Sequence, residues 1–261
     1  MPEGDVLHEW AGRLDVALRG QLIVRAYSPR VALAGLVGRG VTGASAHGKH
    51  LLIAFDDGRV LRTHLRMHGK LRLRPAPFLE QPERGPHVRW LLATAAQVAF
   101  CIDAPTVELI HSRHLPLHPV LSQLGPDVLA PELDEAEIVR RLRDNPELPL
   151  GVALMDQNLL SGIGNIYKSE TLFLTAVSPF TPMKRLDDAR LQQVVQKARE
   201  LMRRNLGPGR RTTPRGRIAA PYWVYERSGE RCFKCGEHVR MQRQGPLDRS
   251  TYFCPECQKE A

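Results

Sequence analysis

LMDQNLLSGIGNIYKSETLF, Leu154–Phe173, is the stretch around which this 261-residue chain is read. Apolar residues recur at helical spacing on both sides of Ser161-Gly162-Ile163-Gly164-Asn165, so two amphipathic helices flank a turn. The glycines permit a sharp reversal through positive φ. Asn165 opens the second helix, where unpaired backbone N–H groups and the positive end of the helix dipole favour a phosphate. Its side chain can cap that helix or hydrogen-bond the phosphate. Taken alone, the pattern also fits an ordinary helix hairpin.

Working outward, the helical period dominates the neighbouring sequence and predicts helices over 135–143, 151–159, 166–175 and 189–205. Arg203–Arg217, RRNLGPGRRTTPRGR, carries six arginines and no acid, with Gly and Pro among them, and reads as a mobile basic loop. Beyond Tyr222 lie Cys232-x2-Cys235, eighteen residues, then Cys254-x2-Cys257. Two such pairs can wrap one tetrahedral Zn²⁺ in four thiolates. Gly236 and Pro255 suit the tight turns this requires. A module of about 30 residues is too small to bury its own core, so metal would supply its folding energy. Four thiolates leave no open coordination position, which makes such a zinc structural. Two disulfides or an iron–sulfur cluster are the alternatives, and a cytosolic setting disfavours the disulfides. The fifth cysteine, Cys101, lies in an apolar strand pattern and reads as core.

Toward the N-terminus the period changes. Residues 5–19 place Val6, Leu7, Trp10, Leu14 and Leu18 at helical spacing, ended by Gly20. Strands are then predicted over 21–27, 50–55, 59–67, 70–74, 89–102 and 107–110, with Asp57-Gly58 as a hairpin turn and Pro75–Pro86 as a Pro-rich connection. The expected fold class is therefore α+β and multidomain: an N-terminal helix plus β-sandwich over 1–115, a Pro-rich linker over 116–131, a helical domain over 132–221 and a zinc-finger hairpin over 222–261.

Composition narrows the function. Hydrophobic residues at 43% and charged residues at 25% exclude a disordered or collagen-like chain. No apolar run is long enough to span a membrane, and the opening MPEGDVLHEW has no leader character, so the expected compartment is the cytoplasm. The net charge is +9, and all of it sits after Met183. Such a localised basic excess suits a polyanion, nucleic acid first, although it also fits a surface kept basic for solubility.

Pro2 and Glu3 carry a second chemical possibility. With Met1 removed, Pro2 is a free secondary amine able to form an iminium with a sugar aldehyde carbon, and Glu3 is a carboxyl within reach of the same carbon, a candidate general acid. Proline at the first helical position with an acid in the first turn is also common helix-start chemistry.

These features together resemble the formamidopyrimidine-DNA glycosylase / endonuclease VIII family of bifunctional DNA glycosylases. Met-Pro-Glu-Gly, HGKHLL (47–52), LMDQNLLSGIGNIYKSETLF and RSTYFCPECQ (249–258) match family motifs in order along nearly the whole chain. The resemblance implies a helix–two-turn–helix element and a zinc finger. Pro2 would be the nucleophile that displaces the damaged base, and Glu3 the general acid that helps open the sugar ring. Lys49 would serve β-elimination. Arg249 would grip phosphates flanking the lesion and assist δ-elimination, with Asn165 as a further phosphate ligand. His64–Gly69 matches the loop that fills the gap left by an extruded nucleotide, with Met67 as wedge and Arg66 beside it. His64 and His68 are rejected as metal ligands because no further ligand accompanies them.

Asp103–Glu108 lacks the Arg-Phe pair found in the formamidopyrimidine branch, so the chain looks closer to the endonuclease VIII branch, which prefers oxidised pyrimidines. Residues 118–129 are similar to that branch, but Gln123 stands where it has a DNA-contacting arginine. The implied protein is a monomer that binds damaged DNA, needs one structural Zn²⁺ and no organic cofactor, and is nucleoid-associated in a prokaryote. Three rivals remain: a non-catalytic lesion-binding protein on this fold, an RNA-binding zinc-ribbon protein, and an oxidised-purine glycosylase within the family.

Overall fold

The structure is a computed structural model, and it describes residues 2–76, 86–207, 209–215, 218 and 220–259. Met1, most of the Pro-rich connection and part of the Arg203–Arg217 segment lie outside the described residues. The chain forms two compact units, Met1–Gln123 and Leu124–Ala261.

The first unit opens with helix α1, Gly4–Leu18. Leu7, Ala11, Leu14 and Leu18 recur every three or four residues and are buried, which gives one apolar stripe. Two four-stranded antiparallel sheets follow. One has the order β1 (Arg25–Tyr27), β6 (Val88–Ala93), β7 (Gln97–Ile102), β5 (Lys70–Pro75). The other has the order β2 (Val41–His47), β3 (His50–Phe55), β4 (Arg59–His64), β8 (Thr106–His111). Leu51, Ile53, Leu61, Trp90 and Leu92 fill the core with the stripe of α1. The Trp90 indole N–H donates to Thr63 Oγ1 at 2.9 Å, so the one polar atom of this large buried ring is satisfied. The unit ends in 3₁₀ turns at Ser112–Leu117 and Leu121–Gln123.

Strand β2 is not among the expected strands: after Val41 and Thr42 the sequence continues GASAH, small residues of weak strand propensity, and pairing with β3 overrides that. The segment 21–27 is a strand only from Arg25. The pattern over 89–102 is two strands, split by a turn in which Thr94 N and Gln97 O bond at 2.8 Å.

The second unit contains α2 (Glu135–Arg143), α3 (Leu150–Ala153), α4 (Asn165–Leu174), α5 (Asp188–Arg204) and the hairpin β9 (Arg240–Gln244) with β10 (Arg249–Phe253). Asp134 caps α2 through Glu137 N at 2.9 Å, and Asp187 caps α5 through Arg190 N at 2.7 Å. Helix α3 ends at Ala153 instead of running to Leu159, because Met155–Asn158 turns back. The Arg203–Arg217 segment begins inside α5, whose last turn includes Arg203 and Arg204. No helix among the described residues is long and apolar enough to cross a membrane.

Candidate DNA-repair site

The N-terminal motif comes first. Helix α1 starts at Gly4, with Glu3 as its N-cap, so Pro2 lies outside the helix and not at its first position. Glu3 is completely buried. Its carbonyl accepts from Val6 N and Leu7 N, but its side chain makes no capping hydrogen bond.

Gly48 and Lys49 form the two-residue turn that joins β2 to β3, closed by the pair His47↔His50. Gly48 has φ +55°, the left-handed region where glycine is at ease. Lys49 is half-buried and close enough to His64 for its charge to lower that imidazole's pKa; burial is the larger cause, and with Arg62 and Arg66 contributing the value comes down to about 4.

The loop after β4 presents Met67 with 55% of its surface exposed. Arg66, also exposed, has φ +45°, and its N–H donates to His64 Nδ1 at 3.2 Å. Gly69 N donates to Leu65 O at 2.9 Å. Exposure at the apex of a tight turn is unlike a core methionine. Gln123 is exposed at the last 3₁₀ turn of the first unit.

In the second unit, Gln157 clips the double turn before α4. Its Oε1 accepts from Gly162 N at 3.0 Å, and its Nε2 donates to Ile163 O at 3.1 Å and Met155 O at 3.0 Å. Gly162 has φ +108°, which a residue with a β-carbon rarely adopts. Gly164, not Asn165, is the N-cap of α4. The Asn165 side chain instead turns to the hairpin, with Nδ2 donating to Ser250 Oγ at 3.3 Å. Arg249, exposed at the start of β10, is the residue before Ser250. The structure thus brings Asn165 and the Arg249 segment together.

Two polar residues of α4 not singled out from the sequence anchor its surroundings, Lys168 at this junction and Glu170 beside it. Lys168 is buried, and its Nζ donates to Thr251 Oγ1 at 2.8 Å, Ser250 O at 3.0 Å and Asn165 Oδ1 at 3.3 Å. Glu170, also buried, accepts Trp223 N at 2.8 Å, Val224 N at 2.9 Å, Tyr225 N at 2.8 Å and the Thr213 hydroxyl. Burial pushes its pKa up, against the pull of these donors.

The four sulfurs of Cys232, Cys235, Cys254 and Cys257 lie within 4.8 Å of one another. Cys235 and Cys254 Sγ are 3.4 Å apart, Cys232 and Cys257 Sγ 3.8 Å. Both separations are far beyond a disulfide and near the roughly 3.8 Å edge of a tetrahedron with 2.3 Å zinc–sulfur bonds. Two knuckle turns shape the site: Gly236 N donates to Cys232 O and Gln258 N to Cys254 O, each at 3.0 Å. Gly236 has φ +81°. These cysteines can hold one metal ion.

An N-terminal sandwich entered through Pro2-Glu3, with a helix–two-turn–helix element and a four-cysteine hairpin, defines the class of zinc-finger DNA glycosylases. Residues 1–105 match the model of the formamidopyrimidine-DNA glycosylase N-terminal domain, and residues 124–215 that of its H2TH domain. The chain is 37% identical to the probable endonuclease 8 2 of Streptomyces coelicolor, over 99% of this chain and 94% of that protein. It is 35% identical to the DNA-(apurinic or apyrimidinic site) lyase Nei2 of Mycolicibacterium smegmatis, over 99% of each. The solved structure of the Lactococcus lactis formamidopyrimidine-DNA glycosylase in complex with abasic-site DNA is similar with a TM-score of 0.82 at 26% identity, covering 99% of this chain and all of that one. The chain belongs to the formamidopyrimidine-DNA glycosylase / endonuclease VIII family, on its endonuclease VIII-like side.

Proposed function

We propose that the protein is a bifunctional DNA glycosylase and abasic-site lyase of base excision repair that removes oxidised bases, pyrimidines foremost. The observation that carries this reading is Glu3: a completely buried carboxyl group directly after Pro2, at the N-cap position of α1.

With Met1 removed, the Pro2 amine attacks the sugar C1′ of the damaged nucleotide and the base leaves with its bonding electrons, taking up a proton. Glu3 donates a proton to the ring oxygen, the ring opens, and an iminium remains between Pro2 and C1′. The iminium acidifies the C2′ proton. Lys49, at the tip of the β2–β3 hairpin, serves its removal, and the 3′ phosphate leaves. Arg249 grips the flanking phosphates and assists loss of the 5′ phosphate. Asn165 at the start of α4 holds the same backbone. Met67 fills the gap in the stack, with Arg66 beside it and Gln123 as a further DNA contact. Cys232, Cys235, Cys254 and Cys257 would hold one structural Zn²⁺, which would lock the ends of the hairpin that carries Arg249. The protein works as a monomer in the cytoplasm, on the nucleoid, without an organic cofactor.

Borohydride trapping tests this. Untagged protein with Met1 removal verified by mass, mixed with DNA containing an abasic site or an oxidised pyrimidine, is expected to give a covalent protein–DNA band that Pro2→Gly loses. Tight binding to lesions with no band on any of them would leave a non-catalytic lesion-binding protein instead.

A further inference from the structure

Strands β3, β4 and β8 carry a polar chain through the first unit. His50 and Arg62 are 6% and 3% exposed. Arg62 Nη2 donates to His50 Nδ1 at 3.2 Å, and its Nη1 is paired with Glu108. Glu108 Oε2 accepts from His118 Nε2 at 3.2 Å. His118 Nδ1 in turn accepts from Val120 N and Leu121 N, each at 3.1 Å. An imidazole nitrogen that accepts carries no proton, so His118 presents N–H only at Nε2, toward Glu108. By the same argument, His50 has its proton on Nε2.

The placement is what gives this chain a role. His50 follows Lys49 and pairs across the hairpin with His47 and across the sheet with His64. The rings of His50 and His64 are 4.7 Å apart. The turn that carries Lys49 therefore stands on a histidine whose ring is held from below by a buried arginine. A buried guanidinium is expensive, and an apolar residue at position 62 would serve stability as well or better. The Arg62 Nε is also buried with no hydrogen-bond partner, so the guanidinium is not there for the completeness of its own bonding. None of the Glu3, Asn165, Arg249 or cysteine chemistry uses it.

We infer that His50, Arg62, Glu108 and His118 form a positioning network that fixes the Lys49 turn for strand cleavage. The inference rests on the lyase reading above and assigns the network to the elimination step, not to formation of the iminium on Pro2. Removing the acceptor on His50 frees Arg62 to turn and lets the Lys49 turn relax. A displacement of a fraction of an ångström at a proton-transferring group costs rate without abolishing binding.

The test separates the two steps on abasic-site DNA in single turnover, borohydride trapping against strand nicking. His50→Phe keeps an aromatic ring at the site without an acceptor, and Glu108→Gln removes the charge from the far side of Arg62 at a residue that is partly exposed. Both variants are expected to trap as wild type does while nicking about tenfold more slowly. His50→Gln, whose amide oxygen can accept from Arg62, is expected to recover at least half of the lost nicking rate on a logarithmic scale. The double variant is expected to fall no further than either single one, as members of one network do. Nicking within about twofold of wild type in both variants, or trapping and nicking lost in equal proportion, overturns the inference, the second outcome assigning the network to folding alone. Absence of trapping by the wild-type protein on every lesion instead strikes at the lyase reading itself.

Discussion

His50 and His64 sit one above the other across the β3–β4 pair, and both are held neutral. Burial is the main cause, helped by neighbouring cations; it takes His50 down to about 2 and His64 to about 4. In the unfolded chain each would take up a proton near its ordinary value of 6.5. Between pH 6.5 and about 4 the unfolded state therefore binds more protons than the folded one, and stability falls as the pH is lowered through that window. Above 6.5 the contribution is fully present. His50→Phe removes one of these groups, so the slope of unfolding free energy against pH is expected to flatten below 6.5 by up to about 1.4 kcal/mol per pH unit. Denaturant titrations near pH 7, 6 and 5, followed by Trp10 and Trp90 fluorescence in a Trp223→Phe background, measure it. An unchanged slope would mean that water reaches the His50 ring. Gly69 makes a different point at the same scale. A β-carbon there would stand 2.6 Å from Leu65 O and 2.7 Å from Leu65 Cα, so the turn that presents Met67 depends on a missing side chain and not on a favourable contact.

At the scale of elements, α4 is the instructive one. Its sequence, NIYKSETLFL, has Lys, Ser, Glu and Thr where a surface helix would carry its solvated face, yet every residue from Asn165 to Phe173 is buried. The helix pattern and its start at Asn165 could be read from the two glycines and the apolar spacing. The burial of the polar face could not, because it depends on the β9–β10 hairpin, Thr213 and Trp223–Tyr225 packing there, contacts that no local period encodes. Helices α2 and α5 were legible nearly to the residue because their apolar period is strong, and the structure adds the caps Asp134 and Asp187 at their starts. Strand β2 was illegible for the opposite reason, since its stability comes from its partner. Among site residues, the cysteines, Asn165 and Pro2-Glu3 announced themselves by motif; Lys168 and Glu170 did not, being ordinary helix residues whose role is set by distant donors and acceptors. Glu170 gives the sharpest prediction here. Four donors converge on its two oxygens. Glu170→Gln replaces one acceptor with an NH₂ group that faces those donors, and leaves at least one of them buried and unpaired. The variant is expected to lose about 1–3 kcal/mol of stability, read by denaturant titration. Stability within about 0.5 kcal/mol of wild type would show that Glu170 is already protonated in the native state, since a neutral acid and an amide then differ little.

At the scale of the whole molecule, the charge asymmetry decides what binding should look like. The +9 lies entirely in the last 78 residues, the part that carries Arg249. Four cysteines close the base of that hairpin, and the bonds of Lys168 to Ser250 and Thr251 tie it to α4. Phosphate contacts made by such a surface release counterions, so affinity falls steeply with salt, with a slope of about 0.9 per phosphate contact on logarithmic axes. Arg249 is exposed and makes none of the contacts that hold its hairpin to α4, so Arg249→Ala should fold normally. The expected result is weaker binding to every DNA sequence alike and a salt slope shallower by about one. Fluorescence anisotropy with abasic-site and undamaged duplexes across a salt series measures both. If the four cysteines hold zinc, as proposed above, its chelation should weaken binding further than Arg249→Ala does, because it releases the hairpin and not one side chain. A weakened affinity with an unchanged slope would mean that Arg249 contacts a base or sugar and not a phosphate, and δ-elimination would then need another cation from the same basic region.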